Sequence, residues 1–227
     1  MPITLSSDAQ SDPNAPVSAT RRVYEALRDR ILTGYLAPGQ RLKVDLLKEM
    51  LGTGASPIRE ALSLLTSDQL VDRLDQRGFR VSPVSVGQFN EILMLRCALE
   101  SMALSQSIAA ADQAWEESLV LAHHRLTRTP RDDVPVFEAH HKTFHMSLLA
   151  ACVSPILLKF CDQLYDLNIR YRYLAGQSGG YAARDVASEH AAILHAAVDR
   201  DTQKATDELI QHYRRTGEFL SARLARL

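Results

Sequence analysis

Before Arg21 the chain contains no lysine or arginine. That absence excludes the basic start of a secretory signal, and the Ser, Asp, Pro, Asn and Gln found there predict a disordered tail over 1–19. Long apolar runs are also missing. Ser147 to Val153 and Ile156 to Leu158 fall far short of the roughly 20 residues a bilayer core demands, so no membrane partner is expected. Cysteine is scarce: Cys97, Cys152 and Cys161 form an odd set without CxxC spacing, which excludes a disulfide framework and a zinc ribbon. They are expected as small core residues in a cytoplasmic protein. Proline and strand-like alternation both become rare after residue 88, which excludes a β-rich second half.

What is present is a chain of 227 residues, 46% hydrophobic and 23% charged, long enough to bury a sizeable core in one or two domains. The net charge of −1 conceals an asymmetry, because residues 20–84 carry 11 basic against 8 acidic side chains while residues from 85 onward carry 15 against 17. A basic first half is a weak nucleic-acid signal.

Val23, Leu27 and Ile31 recur every four residues and predict an amphipathic helix from Thr20 that stops at Gly34, followed by a turn at Ala37-Pro38-Gly39. Asp45 is placed to cap a short helix through Met50. Gly52 to Gly54 breaks that helix, and Ser56-Pro57 is expected to open the next one, with Ser56 as cap and Pro57 at its first position. Leu70 to Leu74 and Phe79-Arg80-Val81 alternate around a turn-forming Asp75 to Gly78, the pattern of a small hairpin. Helix, tight turn, helix, hairpin is the order of a winged helix-turn-helix over 20–84. From 85 to 227, helical periodicity predicts helices near Gly87–Ala111, Gln113–Thr127, Asp132–Ala151, Pro155–Ala175, Ala182–Arg200 and Thr202–Arg226, with Gly176 to Gly180 as a flexible break. The fold class is therefore mainly α, a winged helix-turn-helix joined to an all-α bundle.

In such a motif the second helix presents side chains to base edges while flanking groups hold phosphates. Arg59 is the best-placed reader. Ser56, Lys43 and the wing residues Arg77, Gly78 and Arg80 are candidates for backbone contacts, although an exposed arginine is as often simply solvated. All eight histidines lie between His123 and His212. His141 and His145 share a helix face, and His190 and His212 sit on two later helices, so one interior point of a bundle can gather all four. Partly buried, hydrogen-bonded histidines without a metal are the alternative.

The stretches "LRDRILTGYLAPGQRL", "LLKEMLGTGASPIREALSLLTSDQLV" and "RGFRVSPVS" resemble the N-terminal domain of the GntR family over about residues 21–85. The Gly34–Gly39 turn and the Pro57–Leu62 element are the family-specific parts. One departure stands out: Gly54-Ala55 occupies the place of the usual Ser-Arg, so the customary base-reading arginine is missing.

The stretches "LRCALES", "HHKTFHMSLLAA", "EHAAILHAAVDRD" and "DELIQHY" resemble the FadR-type ligand-binding domain called FCD, over residues 88–215. In one branch that domain holds a divalent metal on an Asp, a His four residues later and two His from the last two helices. Those ligands map onto His141, His145, His190 and His212, with His141 in the place of the Asp. Imidazole suits Zn or Ni, and the neutral ligand set favours an anionic effector. The resemblance also implies a small carboxylate effector, with Arg96 as a candidate holder, although Arg96 can equally pair with Glu100 at spacing four. It further implies a homodimer on a pseudo-palindromic operator, with repression as the default. His123, His124, His140 and His195 match no ligand position. The competing expectations are a metal-dependent hydrolase, for which Glu138 is the available base, and a non-catalytic interaction module.

Overall fold

The structure is a computed structural model that describes residues 18–176 and 185–224. The expected tail, save for its last two residues, and the expected break beyond Gly176 lie outside the described residues. The chain divides into two compact units. One takes the start of the first helix to Asp29 together with Gln40–Val81, and the other takes Arg30–Gly39 together with the chain from Ser82.

In the first unit, α1 (Ala19–Leu32) carries Val23 and Leu27 on its buried face. Helix α2 (Val44–Leu51) buries Leu47 and ends at Gly52, whose φ of 59° lets its amide return to the Lys48 carbonyl. Helix α3 (Ala55–Ser67) buries Ile58, Ala61, Leu62 and Leu65, the i, i+3, i+4, i+7 stripe of a helix lying on a core. Each fully buried Leu or Ile here stabilises the unit by roughly 1.5–3 kcal/mol relative to exposure. The hairpin follows as β2 (Val71–Leu74) and β3 (Gly78–Val81), with φ of 88° at Gly78 in the turn. The strand β1 (Arg41–Leu42) was not expected. It pairs antiparallel with β3, giving the order β1-β3-β2.

The second unit is helical. Its elements are α4 (Val86–Ala110), α5 (Gln113–Arg128), α6 (Val134–Leu149), α7 (Pro155–Gly176), α8 (Val186–Val198) and α9 (Thr202–Leu224). Helix α4 lies at the centre, against α6, α7 and α9, while α8 packs on α9 and α5 on α6 and α8. Phe144, Leu148, Ile193 and Leu209 belong to the shared core. By length and composition α4 could cross a bilayer, contrary to the expectation that no segment is long enough. Its packing and its buried Arg96–Glu100 ion pair make it instead the central helix of the bundle. Cys97, Cys152 and Cys161 are free thiols, the last two buried.

Helix starts correct two further expectations. Asp45 does not cap α2: Lys43 stands at the cap position without a side-chain bond, and Asp45, in the first turn, pairs with Lys48 at 3.3 Å. Nor does Ser56 cap α3. The cap is Gly54, and Ser56 and Pro57 lie inside the first turn. Every other described helix has a side-chain oxygen on a first-turn amide: Ser18, Ser85, Asp112, Asp133, Ser154, Asp185 and Asp201 serve α1 and α4 to α9 in order.

Candidate nucleic-acid interface and metal centre

On α3, Ser56, Arg59 and Glu60 are exposed, and their spacing of three to four places them on one side of the helix. Glu60 accepts hydrogen bonds from Thr20 Oγ1 (2.7 Å) and Ser56 Oγ (3.0 Å), which lower its carboxyl pKa and tie α3 to the start of α1. Ser56 thus spends its proton on Glu60. Arg59 is the only cation on α3. Lys43, Arg77 and Gly78 are exposed, at the start of α2 and on the wing. Arg80 is placed differently: it faces Asp72 across the β2–β3 ladder and donates to its carboxylate at 2.7 Å.

The four predicted histidines converge. The periodicity of α6 stacks His141 and His145 one turn apart, α8 contributes His190 and α9 contributes His212, all buried. One ring nitrogen from each lies within 4.8 Å of those of the other three. Phe144 supports the cluster from one side, its ring centroid 5.1 Å from that of His190 and 5.4 Å from that of His145. Burial, followed by the nearby cations and by one another, holds His141, His145 and His190 well below the ordinary histidine pKa, so these rings are neutral and their lone pairs available.

The hydrogen bonds around the cluster test whether a metal fits. His212 Nδ1 bonds Glu189 Oε2 at 2.7 Å, a carboxylate–histidine arrangement common behind metals. His145 Nδ1 meets the Tyr213 hydroxyl at 3.1 Å, and its Nε2 is buried with no protein partner. His190 Nε2 is orphaned in the same way. Two buried orphan nitrogens beside a carboxylate-oriented histidine fit a divalent ion, because such atoms otherwise cost free energy. His141 is more heavily engaged: its Nδ1 lies 2.6 Å from the Tyr165 hydroxyl, and Arg172 Nη1 lies 3.1 Å from both ring nitrogens.

Arg96 is buried and forms the Glu100 pair, with Nε–Oε1 at 2.5 Å. Burial opposes its charge, but Glu100 and Tyr213 outweigh that and raise its pKa. Its guanidinium lies over the Tyr213 ring at 4.2 Å. Of the histidines outside the cluster, His140 bonds Thr129 at 2.6 Å and His123 packs on Phe144, while His124 and His195 are exposed.

Four participants escaped the sequence reading: Arg172, Tyr165, Tyr213 and Glu189. Glu138, considered there only as a hydrolytic base, pairs with Arg172 at 2.7 Å, and its burial raises its carboxyl pKa against the pull of that guanidinium. The "NIRYRYL" stretch of α7, two arginines among aromatics in a core helix, was the available signal.

Residues 19–81 match the family described as "Bacterial regulatory proteins, gntR family", and residues 91–215 match the FCD domain. The chain belongs to the GntR family. Among GntR relatives, the uncharacterised HTH-type transcriptional regulator BphR of Paraburkholderia xenovorans is 37% identical over 214 residues, covering 91% of this chain and 87% of that one. The HTH-type transcriptional repressor GlaR of Escherichia coli is 29% identical over 197 residues, covering 83% and 90%. The solved E. coli McbR/YncC has the same fold, with a TM-score of 0.79 at 23% identity over 90% of this chain and 98% of that one. This GntR protein is accordingly a DNA-binding transcriptional regulator. The named relatives are transcriptional regulators, so that reading displaces the hydrolase one, and the gntR match over residues 19–81 displaces the reading without DNA.

Proposed function

We propose that this regulator represses transcription from a pseudo-palindromic operator as a cytoplasmic homodimer, and that a small carboxylate bound at a histidine-held metal releases it. The observation that carries this reading is the buried convergence of His141, His145, His190 and His212 in an FCD domain. Repression is favoured by the relative GlaR, described as a repressor. Pairing of two chains matches protein symmetry to operator symmetry, with half-sites about one helical turn or a multiple apart.

His145 and His190 would hold the ion through their unpartnered Nε2 atoms, with His212, oriented by Glu189, and His141 completing the set; the donor set suits Zn or Ni. When bound, the metal supplies Lewis-acid coordination positions for a carboxylate. Within the protein, Glu189 and Tyr213 fix ring orientation, and Phe144 excludes water from one side. Arg59 reads bases, while Lys43, Arg77 and Gly78 contact the phosphate backbone and Arg80 braces the wing. Arg96 forms part of the effector wall, its charge balanced by Glu100. An effector coupling of about 1–3 kcal/mol changes operator affinity roughly 5–150-fold.

Metal analysis of purified wild type and His145→Ala, with gel-shift titration on the intergenic DNA upstream of the gene, tests the reading. The expected result is metal in the wild type, metal lost in the variant, and a salt-sensitive complex weakened by carboxylates only when metal is present. Negligible metal in both proteins would end the metal part; no specific complex would end the operator part.

A further inference from the structure

Glu138 and Arg172 are the two charged side chains buried against His141. Their pairing is one-sided. Glu138 Oε1 accepts from Arg172 Nη2 at 2.7 Å, whereas Oε2 is buried without a hydrogen-bond partner and stops 4.0 Å from His141 Nδ1. A carboxyl group with one oxygen on a guanidinium and the other idle beside a ligand cluster is poorly satisfied for a buried polar group.

The residues next to Arg172 lead elsewhere. Tyr171, packed at a tilt on Phe89 with ring centroids 5.0 Å apart, donates a hydroxyl hydrogen bond to Gln88 Oε1 at 2.9 Å in the first turn of α4. Arg170, itself buried, donates from Nη2 to the Ser82 carbonyl at 2.7 Å. Ser82 is the residue that follows the last wing strand, and Ser85 caps α4 three residues later. Three consecutive residues of one helix therefore touch the histidine cluster, the start of α4 and the segment that leads out of the winged unit.

We propose that Arg172 is the receptor for the effector carboxylate, that Glu138 is its built-in placeholder, and that exchange of one carboxylate for the other is transmitted through Arg170 and Tyr171 to residues 82–88. The proposal rests on the carboxylate reading above. It does not depend on the metal, because the Arg172 fork binds a carboxylate whether or not an ion is present.

The test uses the full chain, zinc-loaded and zinc-free, with acetate, L-malate and citrate as probes, read by calorimetric titration and by amide hydrogen exchange of residues 82–88. At least one probe is expected to bind wild type and to change that exchange. Glu138→Gln is expected to tighten binding about threefold or more by removing the internal competitor, and Arg172→Gln, in a Glu138→Gln background that leaves no unpaired charge, to weaken it about tenfold or more with zinc content unchanged. Arg170→Gln is expected to bind the probe like wild type while the exchange response at 82–88 disappears. Wild-type affinity in the double variant, or no probe binding to wild type, would overturn the receptor assignment. Loss of zinc in Glu138→Gln would make Glu138 a ligand instead. An intact exchange response in Arg170→Gln would overturn the transmission. Absence of zinc from wild type with the probe results unchanged would sink only the metal reading.

Discussion

Ala55 opens α3, where the GntR resemblance leads one to expect an arginine. A bidentate arginine on guanine contributes about 1–3 kcal/mol of discrimination, so its absence is expected to leave base reading on α3 to Arg59 and to relax the operator sequence. Binding-site selection with Ala55→Arg against wild type is expected to yield a narrower, guanine-containing consensus for the variant; identical preferred sequences would refute this. Individual residues were unequally legible. The four histidines could be read from spacing four on one helix and from the FCD resemblance. Arg172 could not, because its partner Glu138 is 34 residues away and no local pattern announces a pairing across two helices.

At the scale of elements, periodicity located α1 and all six helices of the bundle, whereas α2 and α3 were legible from the glycine break between them and the cap-like residues at their starts, α2 burying only Leu47. The two-residue β1 offered no period to detect. The starts of α2 and α3 differ from expectation because Asp45 and Ser56 have capping chemistry but each sits two positions past the cap. Gly217 shows another property that pattern alone does not reveal. It sits in the middle of α9 where α4 approaches, and a Cβ there would meet Leu93 Cδ2 at 2.3 Å. Gly217→Ala is expected to lie within about 1 kcal/mol of wild type, because a gain of roughly that size in helix propensity offsets a rotamer change at Leu93. Gly217→Leu has no such escape and is expected to cost roughly 1–3 kcal/mol through overpacking. Urea midpoints of the two variants check this; equal midpoints would show that the helices separate freely.

For the whole molecule, the buried cluster sets a pH dependence. His141, His145 and His190 titrate well below 6.5 when folded, because of burial first, and near 6.5 when unfolded. Below 6.5 the unfolded chain therefore binds more protons, so this stability is fully present above that pH and declines as the pH falls, by roughly a kcal/mol or more per pH unit. Denaturant midpoints of metal-free protein between pH 7.5 and 5 are expected to show the decline, with a shallower slope in His145→Gln/His190→Gln. The same slope in both proteins would mean that the rings are not held neutral.

The distribution of helix caps has a last consequence. Seven helices finish their first turn with a serine or aspartate of their own, whereas α2 and α3 open at Lys43 and Gly54 with no side chain on their leading amides. An operator phosphate is a stronger acceptor for those amides than water, and it also meets the positive end of the helix dipole. The two helices of the helix-turn-helix are thus chemically unfinished on their own. On the proposed operator, phosphates are expected to supply the missing acceptors, so that part of the winged unit's cohesion is deferred until DNA arrives.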